Sequence, residues 1–106
     1  MFVLQPKPTF VYPVAIPTAD GDVEIQFTFN HKGKKALKAF FASLGEGEGA
    51  RTDLDAISEL VSDWSGVDTP YSQEALDTLL DNYPSSAKLI FEAYNKGLFE
   101  GMRKNS

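Results

Sequence analysis

The run from Trp64 to Pro84 constrains this chain more than any other stretch: Trp-Ser-Gly-Val-Asp-Thr-Pro-Tyr-Ser-Gln-Glu-Ala-Leu-Asp-Thr-Leu-Leu-Asp-Asn-Tyr-Pro. Ser65-Gly66 reads as a helix end, and Pro70 fixes the turn that follows. Ser72 then stands as an N-cap with Glu74 and Ala75 in the first turn behind it. Ala75, Leu76, Leu79, Leu80 and Tyr83 follow at helical spacing, and Pro84 stops the helix. Trp64 and Tyr83 are expected to close helix ends onto the core, with Tyr71 at the seam. Such a run builds a scaffold and presents no reactive group.

Either side of this run the periodicity changes twice. Met1-Phe-Val-Leu-Gln-Pro-Lys-Pro8 is an extended arm, because Pro6 and Pro8 forbid helix and push their neighbours toward β geometry. Thr9 to Ile16 alternates weakly around Pro13, which cannot donate to a central ladder, so an edge strand is predicted. Thr18-Ala-Asp-Gly-Asp22 supplies a turn. Val23, Ile25, Phe27 and Phe29 then alternate with polar residues, predicting a strand that pairs back as a hairpin. Because a lone hairpin is marginal in water, its Val/Ile/Phe face must lie on helices, which places Phe27 and Phe29 in the core.

From Asn30 onward the period is helical. Leu37, Phe40, Phe41 and Leu44 predict a helix over about Gly33 to Leu44, and three glycines in Gly45–Gly49 break it. Thr52 caps a helix whose stripe is Leu54, Ile57, Leu60, Val61 and Trp64. A last helix starts at Ser85 or Ser86 and buries Ala87, Ile90, Phe91, Tyr94, Leu98 and Met102. The expected fold is α+β, mostly α, with an N-terminal β-hairpin packed on about four helices. The 106 residues form a single domain.

Composition narrows the function. The chain has no cysteine, which removes disulfides and thiolate metal sites and fits a reducing cytoplasm. No apolar run approaches the ~20 residues of a membrane span. Net charge is −5, and residues 46–83 hold ten acids against Arg51 alone. That field repels phosphate backbones, so nucleic acid is an unlikely partner.

No motif organises chemistry, so no enzyme, metal or cofactor is expected. His31 is the sole histidine and has no serine or acid at catalytic spacing. Asp55, Glu59 and Asp63 fall at i, i+4 and i+8 on one predicted helix and read as a solvated face. Phe27 and Phe29 followed by Lys32–Lys38 leave one alternative, a small nucleic-acid-binding module using the hairpin and those lysines.

The better functional surface is the C-terminal tail. Gly97 and Gly101 each cost a helix about 1 kcal/mol relative to alanine. Leu98, Phe99 and Met102 point in more than one direction, so one core cannot hide all three. Residues 97–106 are therefore expected to fray and to order on a partner through Leu98, Phe99, Met102 and Arg103. Removing them is expected to leave the thermal midpoint nearly unchanged. Phe99 or the Pro13 edge strand could also serve self-association.

The opening Phe-Val-Leu-Gln-Pro-Lys-Pro-Thr-Phe, the strand Phe27-Thr-Phe-Asn-His-Lys, Trp64-Ser-Gly-Val-Asp-Thr-Pro-Tyr-Ser-Gln-Glu-Ala-Leu and Asn82-Tyr-Pro together resemble the tail assembly chaperones of long-tailed phages and prophages. The likeness covers nearly the whole chain. It implies a non-catalytic protein of the cytoplasm of the infected or lysogenic host. Such a protein binds the tape measure protein, helps recruit tail tube subunits and is absent from the mature virion. The positions that carry the resemblance, Trp64, Gly66, Pro70, Tyr71, Tyr83 and Pro84, each have a plain structural role. Mutating them is expected to harm folding before binding.

Overall fold

A computed structural model describes residues 1–45 and 51–104, with side chains described as far as Glu100. In chain order the elements are β1 (Thr9–Thr18), β2 (Gly21–Asn30), α1 (Lys34–Leu44), α2 (Asp53–Leu60), β3 (Val61–Ser65), α3 (Gln73–Asn82) and α4 (Ser86–Lys104). The expected hairpin and four helices are present, and the sheet carries a third strand.

β1 and β2 pair antiparallel in continuous register from Thr9 opposite Asn30 to Thr18 opposite Gly21. Gly21 takes φ 106, which a side chain would resist, and so closes the turn. Strand order is β1-β2-β3, so β1 is an edge, as Pro13 requires. One face carries Phe10, Tyr12, Val14 and Ile16 opposite Phe29, Phe27, Ile25 and Val23. Phe27 and Phe29 are fully buried on that face. Val23 is half exposed, contrary to the alternation, because it sits at the turn end of the hairpin.

Val61–Ser65 corrects the predicted helix, which ends at Leu60 instead of Trp64. β3 pairs with β2 through Phe27 opposite Trp64, Thr28 opposite Asp63 and Phe29 opposite Val61, with a register shift between Thr28 and Phe29. Ser62 is the extra residue of that bulge. In a regular strand Val61 and Trp64, three apart, would face opposite ways; the bulge turns both inward. The i, i+3 spacing is thus common to a helix and a bulged strand. The third strand also breaks up the acidic stripe, because Asp63 lies on β3 and not on α2.

The helices cover the aromatic face of the sheet. Phe29 meets Tyr94 of α4 edge-on at 5.4 Å between ring centres, and Phe10 lies 5.6 Å from Tyr94. The Tyr94 hydroxyl donates to the Asn30 carbonyl at 2.8 Å. Burial, then the charge of Glu59, pushes the Tyr94 phenol up to about 12. Ile57, Leu60, Leu76 and Ile90 complete the core from α2, α3 and α4. The caps are where the sequence puts them: Thr52 Oγ1 accepts from the Asp55 amide at 3.1 Å, and Ser72 Oγ from Ala75 at 3.0 Å. The Ser85 carbonyl accepts from Leu89, and the buried Ser86 hydroxyl donates to the Tyr83 carbonyl.

Candidate functional site: an apolar arm and cleft at one end of the molecule

Four consecutive apolar side chains open the chain and none of them is packed away. Met1, Phe2, Val3 and Leu4 are all exposed, Phe2 and Leu4 by more than 80%. Pro6 and Pro8 hold this segment out of helix, and it makes no ladder with the sheet until the Pro8 carbonyl accepts from the His31 amide at 2.8 Å. Between the arm and the body lies a cleft of about 1120 Å³, lined on the body side by Thr9, Phe10, Val11, His31, Gly97 and Leu98. Val11 is 61% exposed. Contiguous apolar surface of this kind marks an interaction site.

The body wall of the cleft exists because α4 comes unusually close to β1. A Cβ built on Gly97 would stand 2.7 Å from Phe10 Cε2 and 2.9 Å from Tyr12 Cγ. Only glycine lets the helix lie there. One turn further on, the Tyr12 hydroxyl donates to Glu100 Oε2 at 2.9 Å, and that bond raises the Tyr12 pKa. Gly97 is therefore a close-packing residue in a helix that continues to Lys104.

The sequence-derived site residues divide accordingly. Leu98 is 5% exposed and belongs to the core, although it also lines the cleft. Cutting the chain at Gly97 would remove that core residue, which corrects the expectation of an unchanged thermal midpoint. Phe99 is 57% exposed on the side of α4 turned away from Gly97. Met102 and Arg103 have helical backbone, but their side chains lie outside the described residues. The arm was read as extended, yet its four apolar side chains were missed as surface; a hydrophobic run held open by two prolines was the available signal.

Of the positions that carry the resemblance, Trp64, Gly66 and Tyr71 form one clamp. Trp64 Nε1–H donates to the Thr69 carbonyl at 2.8 Å, and the indole stacks edge-on with Tyr71 at 5.2 Å. The Tyr71 hydroxyl donates to the Val61 carbonyl at 3.2 Å. Gly66 has φ +86, and a Cβ there would approach the Glu24 carbonyl oxygen to 3.3 Å. Pro70 precedes this seam and Pro84 follows the α3 C-cap. Tyr83 corrects its expectation: it is the C-cap of α3 and is 37% exposed, not closed onto the core.

The lysine-rich helix start has a different role. Lys32 pairs with Glu59 at 2.6 Å and Arg51 pairs with the same carboxylate at 2.9 Å. Both cations lie over the Phe40 ring, at 5.5 and 5.6 Å. Glu59 thereby ties the segment before α1 to α2 through Lys32, and Arg51 also donates to Ser43 Oγ near the C-terminal end of α1 at 3.0 Å. The Lys32 hydrogen bond, followed by Arg51, holds the Glu59 carboxyl below its ordinary range against the opposing effect of burial. Phe27 and Phe29 are fully buried, so those two rings offer no platform for stacking bases. Among the described residues no group of three metal-ligating side chains converges, and no helix is long and apolar enough to cross a membrane. Of the glycine-rich segment Gly45–Gly49, residues 46–49 lie outside the described residues.

The family model for phage tail assembly chaperones matches residues 1–105. No curated protein and no solved structure matched the chain. The match spans essentially the full length, and the chain belongs to the phage tail assembly chaperone family.

Proposed function

We propose that this tail assembly chaperone acts by coating the tape measure protein through its apolar arm and the outer face of α4, keeping it soluble until tail tube subunits are recruited around it. The reading rests on family membership and on one observation: Met1, Phe2, Val3 and Leu4 stand exposed beside the cleft. A tape measure protein is long and apolar along its faces, and it would aggregate before the tube encloses it. A bound partner that carries net charge −5 adds repulsion between coated molecules.

In this account the protein works by contact and catalyses nothing. It acts in the host cytoplasm and leaves before the virion is complete. The test is direct. The purified chain should form a complex with the tape measure protein in sedimentation velocity, and mass spectrometry of finished virions should not find it. No complex with the tape measure protein, or stoichiometric retention in virions, would overturn the proposal.

A further inference from the structure

The open edge of β1 is not uniform, and its pattern says what kind of segment the cleft can hold. The His31 amide bonds the Pro8 carbonyl. That bond fixes the parity of the ladder: Phe10, Tyr12, Val14 and Ile16 turn their backbone groups to β2. Thr9, Val11, Pro13, Ala15 and Pro17 turn theirs outward. Both prolines therefore sit where a missing N–H costs no ladder bond. They strip donors from the far half of the edge and isolate Ala15 between them. Thr9 and Val11 keep theirs, and both line the cleft. The charge of the lining is one-sided as well. Lys7 contributes to it, and among the described residues no carboxylate does.

We infer that the cleft binds an extended, apolar segment of the tape measure protein as a short added strand. Its backbone pairs with Thr9 and Val11, its apolar side chains lie against Phe10 and the arm, and Pro13 ends the register. An acidic residue at one end of the segment meets Lys7. This inference rests on the proposed function and specifies its binding mode: main-chain hydrogen bonds supply the anchor, and the arm supplies the second wall.

The parity of the ladder supplies the experiment. Val11→Pro removes the outward N–H at a position equivalent to Pro13 and Pro17, so the sheet tolerates it. Val11→Ala removes the side chain and keeps the donor. Short overlapping peptides tiling the tape measure protein are titrated against each by fluorescence anisotropy. One or a few apolar tiles should bind the wild-type chain. Val11→Ala should weaken them modestly, and Val11→Pro should cost about tenfold more, the equivalent of one lost hydrogen bond. In hydrogen exchange, the wild-type Val11 amide should become protected when the peptide is added, a readout that holds even if Val11→Pro fails to fold.

Equal binding by the two variants, or an unprotected Val11 amide, overturns the added strand and leaves the proposed function standing. So does the lack of any binding tile while the full-length partner forms a complex. If the full-length partner forms no complex, the proposed function and this inference fall together.

Discussion

Gly97 on α4 lies against the Tyr12 ring on β1 so closely that an added Cβ would stand 2.9 Å from Tyr12 Cγ and Cδ1. Those atoms sit at the root of the ring, where the side chain has little freedom to yield. Helix propensity alone says that Gly97→Ala should stabilise α4 by about 1 kcal/mol. The packing says the reverse, because overfilling a close contact costs about 1–3 kcal/mol. Gly97→Ala should lower the stability, read as a lower midpoint of urea unfolding. A raised midpoint would mean that α4 does not approach β1 so closely.

Trp64 ties β3 to the loop before α3 through the Thr69 carbonyl and the Tyr71 ring. Trp64→Ala should cost about 3–5 kcal/mol, as large aromatic truncations in cores do. Trp64→Phe keeps much of the packing and loses the hydrogen bond, so it should cost less. Partner binding should fall only in proportion to the unfolded fraction, which parallel denaturation and binding measurements would separate.

Alkaline stability should depend on Tyr94. Its folded pKa is raised, to about 12 against an ordinary value of 10.0. Its contribution is complete below about pH 10 and is lost as pH rises toward 12. Tyr94→Phe should be less stable at neutral pH, having left the Asn30 carbonyl without its donor, yet show a shallower loss across that window. Thermal midpoints from pH 9 to 12 decide it.

Acid stability should depend on Glu59 with the opposite sign. Its folded pKa is depressed, so its contribution is present above the ordinary carboxylate value of 4.5 and is lost as pH falls through the lower folded value. Glu59→Gln should flatten the midpoint curve on the acid side. It should also speed hydrogen exchange in α1, which Lys32 before its start and Arg51, bonded to Ser43 near its end, link to that carboxylate.

Much of this architecture was legible because single residues dictate local geometry. Thr52 and Ser72 announce their helices, Pro13 announces an edge, and the alternation through Phe27 and Phe29 announces a half-buried strand. β3 was hidden by a coincidence of spacing. Leu60, Val61 and Trp64 continue the α2 stripe, and only the Ser62 bulge opposite Thr28 and Phe29 makes that spacing fit a strand. The packing role of Gly97 was hidden for a related reason. Glycine in a helix reads as weakness unless the neighbour it admits is known, and that neighbour, Tyr12, lies far away in sequence. The arm was the reverse case, since among the described residues no element covers its four apolar side chains.

The solubility of the full-length tape measure protein, co-expressed with this chain, tests the central claim most directly. Wild-type chain should hold it in the supernatant. Phe2→Ser combined with Leu4→Ser, both on exposed side chains, should keep the chaperone's own thermal midpoint and let the tape measure protein pellet. If the double variant protects its partner as well as the wild type does, the arm is not the gripping surface and the account is wrong.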